Sequence, residues 1–464
     1  MALLLPLLQA CLNNPPAAST RNEPNVETLA VASVTAEARN QDQTDSARSA
    51  TITATATSQP EPVTTTPMAE VIQNGGGITP TQIAPTASEG RIVYLQNQDI
   101  FLWSGSGSRR LITQGERVQQ LDISTDGQLI AYTRSTGEFG EELWVIGTDG
   151  SGERRLVSAD ELSAMDARAL AVIPDSMAWI PGTHLVAFNT RQVVEGPGIS
   201  RYDDLRTVNA DSGQMQTLLA PGQGGEFYPS PDGTQLAVTS PTSISLIDIN
   251  GTNLRKDVLE YSPVTTYSEY QYYAQPVWES NSTDLLVAIP PADPLAVPLT
   301  PTTLWQVPVN GSKARQLGNI ATGSFFGMDV FYSPDRNHIL YLENSGNSDQ
   351  NLRALHIARP DGSQDSVYYT GTELTISNWA PDSQHFTFSV GNQGSLQLGE
   401  IGGKFQPITG VGSNPLDLQW IDNEHFIYVH SGADSYEIHL HSLQGEDTLL
   451  GTDPEFQSIY DFAR

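Results

Sequence analysis

Four histidines gather near the C-terminus, at His425, His430, His439 and His441. Imidazole binds zinc and moves protons near neutral pH, so the cluster is the first place to look for chemistry. His439 and His441 would share one face of a strand. No third ligand of defined spacing accompanies them, so they read as a surface histidine pair, and neither a metal nor a cofactor is expected. Asp203 and Asp204 are adjacent carboxylates that could serve as acid and base if they opened together on a cavity. "DISTDG" at 122 lacks the distal Glu of a calcium loop, and no Gly-x-Ser-x-Gly elbow of a serine hydrolase occurs. The densest constellation is aromatic: "EYSPVTTYSEYQYYAQ" at 260–275 gathers Tyr261, Tyr267, Tyr270, Tyr272 and Tyr273. Tyrosine offers stiff contact area with a polar tip, which suits recognition rather than bond making.

What positions these groups is a repeat. "SPDGTQLAV" at 230 sets a type I turn against an apolar run, with Pro231 fixing φ, Asp232 bonding nearby backbone and Gly233 taking the exit geometry. Apolar runs that follow such turns recur at 92, 129, 185, 235, 285, 339, 386 and 426, eight in all. A second series of Gly- or Asp-rich hairpins runs in step at 104, 148, 210, 249, 309, 359, 401 and 443, again eight. The unit is four strands over roughly 40 to 50 residues, the length and strand count of a propeller blade. Aromatics close the first strand of most units: Trp179, Tyr228, Trp278, Tyr332, Trp379 and Trp420.

The first unit lacks its opening strand, and "FQSIYDFAR" at the C-terminus is of the right kind to supply it. An all-β propeller of eight four-stranded blades is predicted, closed by the C-terminal strand. Seven is the alternative, if the divergent unit around 167–220 is miscounted.

The repeat resembles the TolB-type, WD-repeat-like propeller family, marked by W-S-P-D-G before an I-A-Y/F strand. The matching residues are Tyr228 with Ser230 to Gly233, Tyr332 with Ser333 to Asp335, Trp379 with Pro381 and Asp382, and Ser124 to Tyr132. The resemblance covers about residues 91–464 and implies the fold far more than a function, because these positions are structural turns and core aromatics. The turns near 180, 281 and 421 depart from the pattern.

With 23 Lys and Arg against 53 Asp and Glu, the chain has a net charge of −30, which argues against a nucleic-acid partner. "MALLLPLLQAC" ends at Cys11, the only cysteine, so no internal disulfide can form. The run is too short to span a membrane and resembles the end of a bacterial lipoprotein signal, with Leu8, Ala10 and Cys11 matching the box and Gln9 departing from it. Residues 1–11 are read as this segment, with Cys11 as the lipidation site and a start expected upstream. Residues 12–89, rich in Thr, Ala, Ser and Pro, cannot bury enough apolar surface to order themselves. They read as a stalk spanning on the order of 50 Å as a random coil. Residues 90–464 form the propeller domain.

Long connections fall at 158–176, 189–203, 260–276 and 289–303. In a propeller these classes emerge on one face, which marks the binding surface. Ser158 and Glu161 have capping-box spacing, so a short helix is expected on that rim. The resulting expectation is a non-enzymatic, extracytoplasmic, surface-tethered propeller, monomeric, that binds a protein, peptide or glycan through its tyrosine-bearing face. Contact with a membrane would come only through the lipid anchor. The alternative is a propeller hydrolase or lyase with carboxylates such as Asp203 and Asp204 at the central channel.

Overall fold

A computed structural model describes residues 90–463 except 106–108, 196–199, 269, 297, 299, 323–329, 345–351, 393, 433 and 455–458. Cys11, the 12–89 segment and residue 464 lie outside the described residues.

Within that span the chain forms eight antiparallel sheets, seven of four strands and one of five. Each is a meander whose first strand is innermost. Blade 1 is completed from the far end of the chain: Tyr460–Ala463 pairs with Arg91–Gln96, placing Ala463 opposite Arg91 and Tyr460 opposite Tyr94. Eight blades and C-terminal closure therefore hold, and the divergent unit around 167–220 is a blade in its own right. It is the five-stranded one, because its second strand, Leu185–Val193, runs long enough to pair with both Leu205–Asn209 and the short strand Ser200–Arg201.

The second strand of each unit is apolar throughout because both of its faces are buried. Ile130 and Tyr132 point into the cluster shared with blade 1, and Ala131 points into the cluster shared with blade 3. Leu236 and Val238 face blade 3 while Ala237 faces blade 5. Among the described residues there are eight such clusters, one between each pair of neighbouring blades, the last joining blade 8 to blade 1. A single blade has two apolar faces and no means of covering either, so the ring is the folding unit.

The aromatics at the inner-strand ends act between blades. Trp179 Nε1 donates to the Asp122 carbonyl at 3.0 Å, Trp278 Nε1 to Tyr228 at 2.9 Å and Trp379 Nε1 to Phe331 at 2.8 Å. In each case the acceptor lies on the inner strand of the preceding blade. The Ser-Asp turns are built alike: Ser230 Oγ donates to Asp232 at 2.6 Å and Ser333 Oγ to Asp335 at 2.6 Å. Their backbones reach forward as well, with Asp232 N–H on Ser282 Oγ at 3.1 Å and Asp335 N–H on Ser383 Oγ at 2.9 Å.

Candidate functional site

The meander topology places the first-to-second and third-to-fourth turns on one face, and the second-to-third and inter-blade connections on the other. The second face carries the long segments of blades 2 to 5. Helix α1, Ala159–Ser163, opens with a complete capping box: Glu161 N–H donates to Ser158 Oγ at 3.2 Å and Ser158 N–H to Glu161 Oε2 at 2.8 Å. It docks through buried Leu162.

The five tyrosines of the 260–276 connection divide into two groups. Tyr261 donates its hydroxyl to the Ser240 carbonyl at 2.6 Å and accepts from Ala274 N–H at 3.3 Å. Its ring meets Tyr272 edge-on, with centroids 6.3 Å apart, and both pack on the core between blades 4 and 5. Burial pushes the Tyr261 phenol up to about 12 and raises the Tyr272 phenol well above its usual range. Tyr273 turns toward the channel, donates to Asp203 Oδ1 at 2.8 Å and lies 5.2 Å under the Arg201 guanidinium. These three hold the loop in place.

Tyr267 and Tyr270 face solvent, 55 % and 42 % exposed. Tyr267 donates to Asp293 Oδ1 at 2.7 Å across to the 290–301 loop, and this bond holds the Asp293 carboxyl below its usual range. The backbone at Tyr267 has φ +54°, a left-handed conformation that a bulky side chain adopts at a cost of about 1 kcal/mol. The two rings border a groove of about 500 Å³ whose other walls include Pro241, Pro263, Val264 and Thr266. Among the described residues, no charged side chain lines it.

Beneath this loop runs a charged network. Asp175, on the inner strand of blade 3, receives Arg191 Nε at 3.4 Å and Arg201 Nε at 3.2 Å. Arg201 also pairs with Glu226 on the inner strand of blade 4. Burial raises the carboxyls of Asp175 and Asp203, opposed by Arg201 in the first case and chiefly by the Tyr273 hydroxyl in the second. Asp204 turns the other way. Fully buried, it accepts Arg206 Nε at 2.9 Å, Thr190 N–H at 2.8 Å and Thr190 Oγ1 at 3.1 Å. The two adjacent carboxylates thus do not converge on one substrate position, and each already has a donor.

A carboxyl pair with no local sequence signal joins the inner strands of blades 1 and 2. Asp461 Oδ2 accepts Ile123 N–H at 2.7 Å, and Asp122 Oδ2 accepts Trp179 N–H at 2.8 Å, so each carboxyl ties down the next blade's inner strand. The two carboxyls also meet one another. Burial and then the Asp461 charge raise the Asp122 carboxyl well above its usual range. The folded protein therefore keeps a proton that the unfolded chain releases at about pH 4. Stability from that proton is complete below the unfolded value and falls as pH rises toward the folded one. Asp122→Asn keeps an oxygen for Trp179 N–H and gives Asp461 a permanent donor. The variant is expected to match the parent melting temperature near pH 4 and to exceed it at alkaline pH, by about 2 °C or more. Parallel melting curves across pH check this, and a constant difference between the two proteins refutes it.

His439 and His441 are not a surface pair: His441 is fully buried, and one acid holds both. Asp447 accepts from both rings, His439 Nδ1 at 2.6 Å and His441 Nδ1 at 3.1 Å. Tyr428 stacks on His439 with centroids 5.1 Å apart. Blade 6 repeats the device, with Tyr341 stacked on His356 at 4.7 Å and Asp365 bonded to the ring at 2.9 Å. In both blades the stacked pair is a cross-strand pair of the second and third strands. That recurrence marks a blade-packing device. Among the described residues no three His, Cys, Asp or Glu side chains are grouped so as to hold a metal ion.

A scan against protein-family models returns no match, and a search of curated proteins returns none. Solved structures do resemble the chain. A eukaryotic initiation factor matches at 12 % identity and TM-score 0.52 over 82 % of this chain and 98 % of that one. Dipeptidyl peptidase 4 of Porphyromonas gingivalis matches at 11 % identity and TM-score 0.51, over 78 % of this chain and 57 % of that one. TolB of Acinetobacter baumannii matches at 13 % identity and TM-score 0.33, over 59 % of this chain and 62 % of the TolB chain. At such identities the likeness is one of fold. The propeller is shared.

Proposed function

We propose that this propeller is a non-enzymatic binding module that docks a protein, peptide or glycan segment in the groove bordered by Tyr267 and Tyr270. The observation that carries the reading is a division of labour within one loop. Tyr261, Tyr272 and Tyr273 fix it to the ring, while Tyr267 and Tyr270 stand exposed over a groove of about 500 Å³. Pre-anchored aromatic surface is what a binding site needs, because little side-chain entropy remains to be lost when a partner docks. The strained backbone at Tyr267 supports the same reading, since strain persists where surroundings hold a residue for use. The described walls are proline, tyrosine, valine, threonine, serine and glutamine, which suits a neutral stretch of polypeptide or sugar.

A non-enzymatic role is supported by the fate of the inner acids. Asp204 is spent on Arg206 and Thr190, Asp203 on Tyr273, and Asp122 with Asp461 on neighbouring backbone. In the same proposal the domain works outside the cytoplasm, tethered through Cys11 by the 12–89 stalk.

The test is capture from an extracytoplasmic extract with the full chain as bait, followed by affinity measurement on the captured species. Tyr267→Ser and Tyr270→Ser are each expected to weaken binding about fivefold to tenfold, equivalent to about 1 kcal/mol or more, with an unchanged melting temperature. Equal capture by the double variant sinks the reading.

A further inference from the structure

On the opposite face, where the third-to-fourth hairpins emerge, a second groove of about 680 Å³ opens between blades 6 and 7. Its apolar wall is exposed: Val367 is 58 % and Phe405 41 % accessible, with Tyr368 beside them. Its charged wall consists of Arg359 and Lys404, with His338 at the edge. Among the described residues no Asp or Glu lines it, and the Glu400 carboxylate stands behind Gly403 in the second hairpin. In a chain with 53 acids against 23 cations, a cavity carrying two cations and no acid is unlike the surface around it. Neither cation forms a salt bridge among the described residues. Arg359 instead donates to Gln364 Oε1 at 3.2 Å and to the Asn337 carbonyl at 3.3 Å. Of the hairpin's two acids, Asp361 accepts from Ser363 N–H at 2.9 Å and Asp365 is bonded to the His356 ring at 2.9 Å.

The backbone beside the groove is also unfinished. The outer strand of blade 7 is only two residues, Gln406–Pro407, whereas those of blades 6 and 8 are seven, Ser366–Thr372 and Asp447–Asp453. The third strand of blade 7, Ser395–Glu400, is consequently paired outward at Gln397 and Leu398, with Ile408 N–H donating to the Leu396 carbonyl at 3.0 Å. A side chain substitutes further along, where Glu400 N–H donates to the Tyr368 hydroxyl at 3.0 Å. Among the described residues, the outer edge of Ser366–Thr372 has no strand on it. Strand edges of this kind accept extended peptides.

We propose that this groove is a docking site for an extended acidic peptide segment, whose carboxylates pair with Arg359 and Lys404 and whose apolar side chain lies against Val367, Tyr368 and Phe405. Charge selects the partner, because most of the remaining surface repels an anion and this groove attracts one. The apolar wall supplies the affinity, and the cations supply orientation and salt dependence. The site is independent of the tyrosine loop and lies on the other face, so one propeller engages two segments of different chemistry.

The test uses the full chain and a fluorescein-labelled peptide in which Glu alternates with Phe and Leu, alongside its Gln-for-Glu counterpart. Saturable binding of the acidic peptide is expected, weakening as salt is raised. The Gln counterpart is expected to bind about tenfold more weakly, and a protein with both Lys404→Glu and Arg359→Gln should lose a similar factor. Phe405→Ser should weaken both peptides. Tyr267→Ser with Tyr270→Ser should change nothing here, which separates this site from the first. Lys404→Glu is expected to melt like the parent because Lys404 is exposed, while Phe405→Ser, which loses ring contacts with Tyr369 and Phe388, is measured at a temperature well below its own melting point. Equal affinity for the two peptides, indifference to the charge substitutions, or no saturable binding overturns the proposal. Full displacement by inorganic phosphate does so too, because it would reveal a simple anion site.

Discussion

Deleting residues 459–464 is expected to cost more than about 4 kcal/mol, the range reserved for losses of whole structural devices. The segment serves three blades. Within blade 1 it supplies the inner strand, pairing Ala463, Phe462, Asp461 and Tyr460 with Arg91 to Tyr94 and bonding the Ile459 carbonyl to Leu95 N–H at 3.0 Å. Toward blade 2, Asp461 holds Ile123 N–H, and Ala463 and Ile459 join the cluster between blades 1 and 2. Toward blade 8, Tyr460 donates to the Asp417 carbonyl and, with Phe462, packs the cluster between blades 8 and 1. Without the strand, two apolar interfaces lose members and Arg91–Gln96 becomes an open edge prone to pairing with other chains. Calorimetry should show a melting temperature lower by about 8 °C or more, with association at high concentration. A synthetic peptide of residues 454–464, added in trans, should recover part of the loss. A truncated chain that melts cooperatively at the parental temperature disproves closure by this strand.

Closure was legible in the sequence because it rests on period alone: eight second strands, eight hairpins and one missing first strand need only counting. The Ser158–Glu161 cap was equally legible, since both partners lie within one turn of helix. The carboxyl pair was not. Asp122 and Asp461 are far apart in the chain and meet only because the ring brings its two ends together. Nothing local at either residue announces it.

The tyrosine loop shows a second kind of limit. Sequence grouped Tyr261, Tyr267, Tyr270, Tyr272 and Tyr273, yet the connection has neither helical nor strand periodicity from which to read inside and outside. Only the folded ring separates Tyr261 and Tyr272, packed on the core, from Tyr267 and Tyr270 over the groove. Likewise, Asp203 and Asp204 are neighbours in sequence but diverge in space. The left-handed backbone at Asp203, φ +47°, turns its side chain to Tyr273 while Asp204 enters the core.

The second large effect is expected at Gly233, in the turn "SPDG" that the repeat uses most faithfully. Its φ is +65°, and a Cβ built there would sit 2.0 Å from the Pro181 carbonyl oxygen of the neighbouring blade's turn. Real Cβ atoms do not approach backbone below 3.0 Å, so one of the two turns must move. Gly233→Ala is therefore expected to cost about 3 kcal/mol or more, combining left-handed strain with displacement of an inter-blade contact. Gly182 provides the internal control. It occupies the equivalent turn of blade 3 with φ +68°, but a Cβ there meets nothing within 4 Å. Gly182→Ala should cost only the strain, about 1 kcal/mol. Urea titration of the two variants separates backbone preference from blade packing, and equal losses would show that the Pro181 contact is irrelevant. Both glycines lie on the face opposite the tyrosine groove. Below its melting temperature Gly233→Ala should therefore capture the same partner as the parent, whereas the double tyrosine variant should melt like the parent and capture nothing.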